Sequence, residues 1–167
     1  MKSLKYMVAA TLLAIATLNA GAQNQLYNKY SSTEGITKIY ISSAMFKLLE
    51  SSTSNQTTVE VGDKGNDLDV SKLAGKLSGL YILNTDKPEI SKRLSADFMD
   101  MIKGKKLEIL MEVEDEGEIV KMYSEHTDGH ITDFYLYSYE NDGECTVMHM
   151  QGSLTEGDLN EIMKSVK

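Results

Sequence analysis

Three groups of residues in this 167-residue chain have types and spacings that could do chemistry. The first is Ser43 and Lys47, in the stretch ISSAMFKLLE. A serine activated by a lysine needs both side chains on one helical face, and residues four apart share a face. The known acylating motif spaces them three apart, and its Ser-Asp-Asn and Lys-Thr-Gly companions do not occur here. A lysine base must also be desolvated, and nothing in the surrounding sequence buries Lys47. The stretch therefore reads as a strand entering a helix capped by Ser42 or Ser43, with Lys47 on the surface.

The second group is His126 and His130, set among acids in EHTDGH. Around a two-residue Asp128-Gly129 turn, Thr127 pairs with His130 and His126 faces the other way. Around a three-residue loop the two imidazoles meet, and only then could they share a metal. The preferred reading is an exposed hairpin tip and no metal. The third group is the carboxylates Asp63, Asp67 and Asp69, whose spacing departs from a calcium loop. The acids from Glu112 to Glu118 read as a solvated turn. There is no glycine-rich phosphate loop, no G-x-S-x-G and no C-x-x-C, so no cofactor is expected.

One binding surface is suggested. Tyr135, Tyr137 and Tyr139 alternate with Phe134, Leu136 and Ser138, giving one strand bulk on both faces. If one face meets the helices, a tyrosine-lined second face could take a protein or a glycan. The methionines Met111, Met122, Met148 and Met150 suit an adaptable core or a forgiving interface.

The elements that would position these residues follow from periodicity. Lys2 and Lys5, an uncharged apolar run from Tyr6 to Leu18 and the small residues Ala20-Gly21-Ala22 predict a cleaved signal peptide over residues 1–22. The run is shorter than the roughly 20 residues that a membrane span needs. The expected mature chain, Gln23 to Lys167, is one domain, with no membrane span, in the periplasm or outside the cell. The chain has 17 basic and 25 acidic residues. Without Lys2 and Lys5 the net charge falls to −10, which disfavours nucleic acid and anionic membranes. Cys145 is the single cysteine, in a strand-like run that predicts burial.

QLYNKY predicts a short helical turn and ITKIYI a strand. Residues 50–67 predict a loop, with a brief strand over 58–61. Asp69 is expected to cap a helix over 70–76, followed by a strand over 80–84. Asp86-Lys87-Pro88-Glu89 has the form of a capping box, and Ile90, Leu94, Phe98, Met101 and Ile102 follow at helical spacing. Four strands come next, over 106–114, 118–125, 131–140 and 144–152, joined by turns at Gly117, Gly129 and Gly143. The first places Leu107, Ile109, Met111 and Val113 on one face. Thr155 opens a last helix with Leu159, Ile162, Met163 and Val166 on its apolar side. The class is α+β: one mostly antiparallel sheet with helices packed on one face.

Three stretches, LYNKYSSTEGITKIYISSAMFKLL, LSGLYILNTD and MHMQGSLTEGDLNEIM, resemble the secreted bacterial domain of unknown function numbered 4252, found in Gram-negative bacteria. The resemblance covers most of the expected mature chain. It implies a periplasmic or secreted protein with no assigned activity and carries over no catalytic residue. The sequence thus favours a non-enzymatic binding or assembly module, with a homodimer among its possible forms. The alternative is a hydrolase using Ser43 and Lys47 or an acidic pair.

Overall fold

The computed structural model describes residues 25–51, 58–61, 66–69 and 73–165, and the side chains of 58–61, 66–69 and 161–165 are not described. The chain divides into two compact units, the first ending at Ser32 and the second beginning at Thr33. In the first, α1 (Gln25–Lys29) is the expected helical turn, closed by Tyr30 N donating to Tyr27 O at 3.3 Å and Ser31 N to Asn28 O at 3.1 Å.

The second unit is built on a six-stranded antiparallel sheet of β1 (Thr37–Ser42), β4 (Leu77–Thr85), β5 (Glu108–Asp115), β6 (Glu118–Thr127), β7 (His130–Tyr139) and β8 (Cys145–Leu154). Their order across the sheet is β1-β4-β8-β7-β6-β5. β2 (Thr58–Val61) and β3 (Asn66–Asp69) form a separate hairpin. The last four strands follow one another as the Gly-containing turns predict. Glu116-Gly117 and Asp128-Gly129 both have positive φ at their two central positions, the conformation of two-residue turns that match strand twist.

Alternation along the strands sorts the sheet into two faces. One carries Leu80, Ile82, Met122, Phe134, Leu136, Met148 and Met150. This face packs with Phe46 of α2 (Ser43–Ser51), Leu73 and Ala74, and Leu159 of α4 (Glu156–Ser165). The other carries Tyr123, Tyr135, Tyr137 and Val147 and is covered by α3 (Pro88–Ile102) through Leu94 and Phe98. The α+β class and single antiparallel sheet are as expected, but the helices lie on both faces rather than one. The bulk on both faces of β7 is the reason, since Phe134 and Tyr135 point opposite ways and both need cover.

Other boundaries differ for local reasons. Ser42, not Ser43, caps α2, its Oγ accepting from Met45 N at 3.3 Å. The expected cap Asp86 is displaced by one residue: Lys87 is the N-cap of α3 and Pro88 occupies the first turn. Thr85 Oγ1 takes over part of the capping, accepting from Lys87 N at 3.2 Å. Asp69 ends β3, paired with Thr58, instead of capping a helix, and residues 73–76 make a single turn with Lys76 N donating to Leu73 O at 2.8 Å. Residues 70–72 of that expected helix lie outside the described residues, as do 1–24. A register shift between Ile109 and Met111 turns Ile109 to the face opposite Met111 and Val113. Thr155 opens α4 with a reciprocal cap: its Oγ1 accepts from Asp158 N at 3.3 Å, while Asp158 Oδ2 accepts from Thr155 N at 2.8 Å. Gly152 allows the close passage of β8 past the turn before β4, because a Cβ there would lie 2.3 Å from Lys76 O.

Candidate functional site

Among the described residues, polar and aromatic side chains gather on the α3 face, where β7 and β8 run side by side. Their register sets Asp133 against Gln151, Tyr135 against His149, Tyr137 against Val147 and Tyr139 against Cys145. His149 Nε2 lies 2.7 Å from Asp133 Oδ1, and both side chains are almost wholly buried. Gln151 Nε2 donates to the same oxygen at 3.3 Å. Burial alone would raise the Asp133 pKa. The hydrogen bond and charge of His149, with help from Gln151 and Lys105, outweigh it and hold the carboxyl below its ordinary value.

Tyr135 lies flat on the His149 ring, with centroids 4.2 Å apart and planes at 12°. Tyr81 adds to that stack at 5.9 Å, and Tyr40 stacks on Tyr81 at 4.7 Å. Lys105, just past the end of α3, places Nζ 5.6 Å above the Tyr135 ring and 3.3 Å from Glu125 Oε2. Burial lowers the Lys105 pKa, but Tyr135 and Glu125 together raise it above its ordinary value. Burial, reinforced by Asp133, pushes the Tyr135 phenol up to about 12. Tyr135 thus stays protonated across the physiological range, and Asp133 stays ionised. The arrangement orients His149 and holds its ring between aromatic faces, which fixes the sheet at this point.

Further along the same face Phe98 stacks on Tyr137 at 5.2 Å and meets Tyr123 and Tyr135 at a tilt, with centroids 6.1 and 6.3 Å away. Ser95 Oγ and the Tyr137 hydroxyl lie 2.7 Å apart. Burial raises the Tyr137 pKa as well. Of the three tyrosines singled out from the sequence, Tyr135 and Tyr137 are buried in this layer and Tyr139 is half-buried. Tyr137 and Tyr139 line an open groove of about 290 Å³ with Lys92, Ser95, Ala96 and Ile119.

The residues with catalytic spacing are not brought together into a reacting centre. Ser43 and Lys47 are both exposed on α2, so Lys47 lacks the desolvation that a neutral amine base requires. Asp128-Gly129 is a two-residue turn, so Thr127 pairs with His130 and His126 with Ile131, and the imidazoles take opposite faces. His126 Nε2 instead lies 2.9 Å from Ser124 Oγ and 3.3 Å from Glu108 Oε2. A hydrolytic triad sets serine and carboxylate on different ring nitrogens; here both approach the same one, and Ser124 is fully buried. Glu112 is held by Lys121 at 2.7 Å. Asp63 lies outside the described residues, and Asp67 and Asp69 sit in β3. Among the described residues no three His, Cys, Asp or Glu side chains gather as a metal site, and no helix is long and apolar enough to cross a membrane. Cys145 is buried, and burial, then Glu144, pushes its thiol up to about 12, which makes it a poor nucleophile.

The tyrosines stand out in the sequence, but Asp133, His149, Gln151 and Lys105 do not. The signal was present in part: pairing β7 and β8 back from the Asn141-Asp142-Gly143 turn sets Tyr135 opposite His149. Lys105 and Glu125 had no such signal, because their meeting depends on where α3 ends over the sheet.

Residues 30–162 match the family model described as Domain of unknown function (DUF4252), and the chain belongs to that family. No curated protein and no solved structure matches it.

Proposed function

We propose that this member of the family is a secreted or periplasmic binding or assembly domain, non-enzymatic, that associates with protein partners through the outer strands of its sheet. One observation carries the reading. Large apolar side chains stand exposed at the sheet's two outer strands, Tyr40 on β1 and Ile109 and Val113 on β5, at 51%, 57% and 48% exposure. Met45 and Leu48 are exposed on α2, which continues directly from β1. The tyrosines of the inner strands, by contrast, are mostly spent on internal packing. An outer strand offers peptide N–H and C=O groups as a template for another strand. Export is supported by the charged, apolar and small-residue pattern of residues 1–22.

Sedimentation velocity of the purified protein over a wide concentration range tests the reading. The expected result is a sedimentation coefficient that rises with concentration and falls back when Val113→Lys is introduced. A monomer at every concentration, with no dependence on Val113, overturns the assembly reading.

A further inference from the structure

We propose that copies of this chain join head to tail, β1 of one copy adding to β5 of the next so that the two sheets run on as one. The inference rests on the association reading above and names its partner and its contact.

The topology makes the match. Six strands, each antiparallel to its neighbours, leave the two outer strands running in opposite directions. A second copy laid alongside with the same face up therefore brings its β1 to β5 antiparallel, with no inversion. In an antiparallel pair, opposite residues share a face and a hydrogen-bonding state, so matching the faces also matches the peptide groups.

The side chains fit this join in one register. On the α3 face, β1 carries Lys38 and Tyr40, opposite Leu83 and Tyr81 of β4, and β5 carries Glu112 and Glu114, opposite Lys121 and Ile119 of β6. On the other face β1 carries Ile39 and Ile41, and β5 carries Met111 and Val113. Setting Lys38 against Glu114 brings Ile39 to Val113, Tyr40 to Glu112 and Ile41 to Met111. Lys38 and Glu114 then meet as opposite charges, and Ile39 with Val113 and Ile41 with Met111 as apolar pairs, while Tyr40 lies beside Glu112. The run, which Thr37 and Asp115 extend to a fifth pair, stops at the register shift beside Leu110. The same acids argue against the symmetric alternative, since two β5 strands side by side would set Glu112 and Glu114 against carboxylates. A contact between two different surfaces does not close on itself by a two-fold axis and continues as an open chain or a ring.

Paired cysteines test the join without altering its contacts. In the proposed register Thr37 lies opposite Asp115, and the native Cys145 is buried. Thr37→Cys and Asp115→Cys in one chain should, on oxidation, give a ladder of dimers, trimers and higher species. Either substitution alone should give none, and Val113→Lys, which sets an ammonium against Ile39, should abolish the ladder. If either single variant crosslinks into dimers as well as the double, the contact is symmetric; the head-to-tail join is then wrong and association stands. If nothing crosslinks where sedimentation shows association, another surface is used and the join is again wrong. If nothing crosslinks and nothing associates, both the join and the reading beneath it fail.

Discussion

Phe98→Ala tests whether α3 is fastened to the tyrosine face. Phe98 is fully buried, stacked on Tyr137 and tilted against Tyr123 and Tyr135. Its removal forfeits the transfer energy of a buried aromatic side chain and leaves a cavity between a helix and a sheet. Such truncations cost roughly 3–5 kcal/mol. The rigid tyrosine rings below cannot collapse into the gap, so the upper half of that range applies. For a chain of this size, each kcal/mol lowers the midpoint by about 2–4 °C, so the melt should fall by about 10 °C or more. Urea denaturation followed by far-ultraviolet circular dichroism gives the free energy directly, with the slope unchanged if unfolding stays two-state. A loss below about 1.5 kcal/mol, the scale of a partly exposed side chain, would refute the packing of α3 on this face.

Further outcomes follow from particular contacts. Ser42→Ala should cost about 1 kcal/mol by removing the α2 cap, while Ser43→Ala at the exposed first helical position should cost little; denaturant melts of both variants separate them. Asp133→Asn should destabilise by about 1.5–3 kcal/mol at neutral pH, the range for hydrogen bonds to charged groups. Because the folded Asp133 pKa is depressed, its contribution is complete above the ordinary carboxyl value near pH ~4 and disappears as pH falls through the lower folded value. Wild type and variant should therefore converge in acid, and a deficit unchanged below pH ~3, well under that ordinary value, would contradict an ionised Asp133 carboxylate held at His149. Cys145 should resist a thiol reagent in the native protein at mild alkaline pH and react at once in denaturant, as read by thiol titration.

Much of the fold is legible in the chain because its signals are local. Asp-Gly and Glu-Gly turns between alternating runs fix β5 to β8 as a meander, and the spacing of Leu94 and Phe98 behind Pro88 fixes α3. What escapes is what depends on partners distant in sequence. Period-two alternation sorts residues onto two faces but does not say which face α3 will cover, and β7, bulky on both, gave no preference. The insertions at Leu110 in β5 and Thr132 in β7 shift register by one residue against β6, and no residue type announces them. β1 and β4 join the sheet beside β8, out of chain order, so the identity of the outer strands is a fact of the fold alone. The Asp133–His149 pair was half legible from the β7–β8 turn, whereas its cover by Lys105 was not.

The claim that the outer strands are the working surface is tested most directly by hydrogen exchange at low and high protein concentration. Amides of Thr37–Ser42 in β1 and of residues 111–114 in β5 should gain protection together as concentration rises, while β4, β8 and β7, already paired on both sides, should not change. Protection gained elsewhere, or by neither strand, would contradict it.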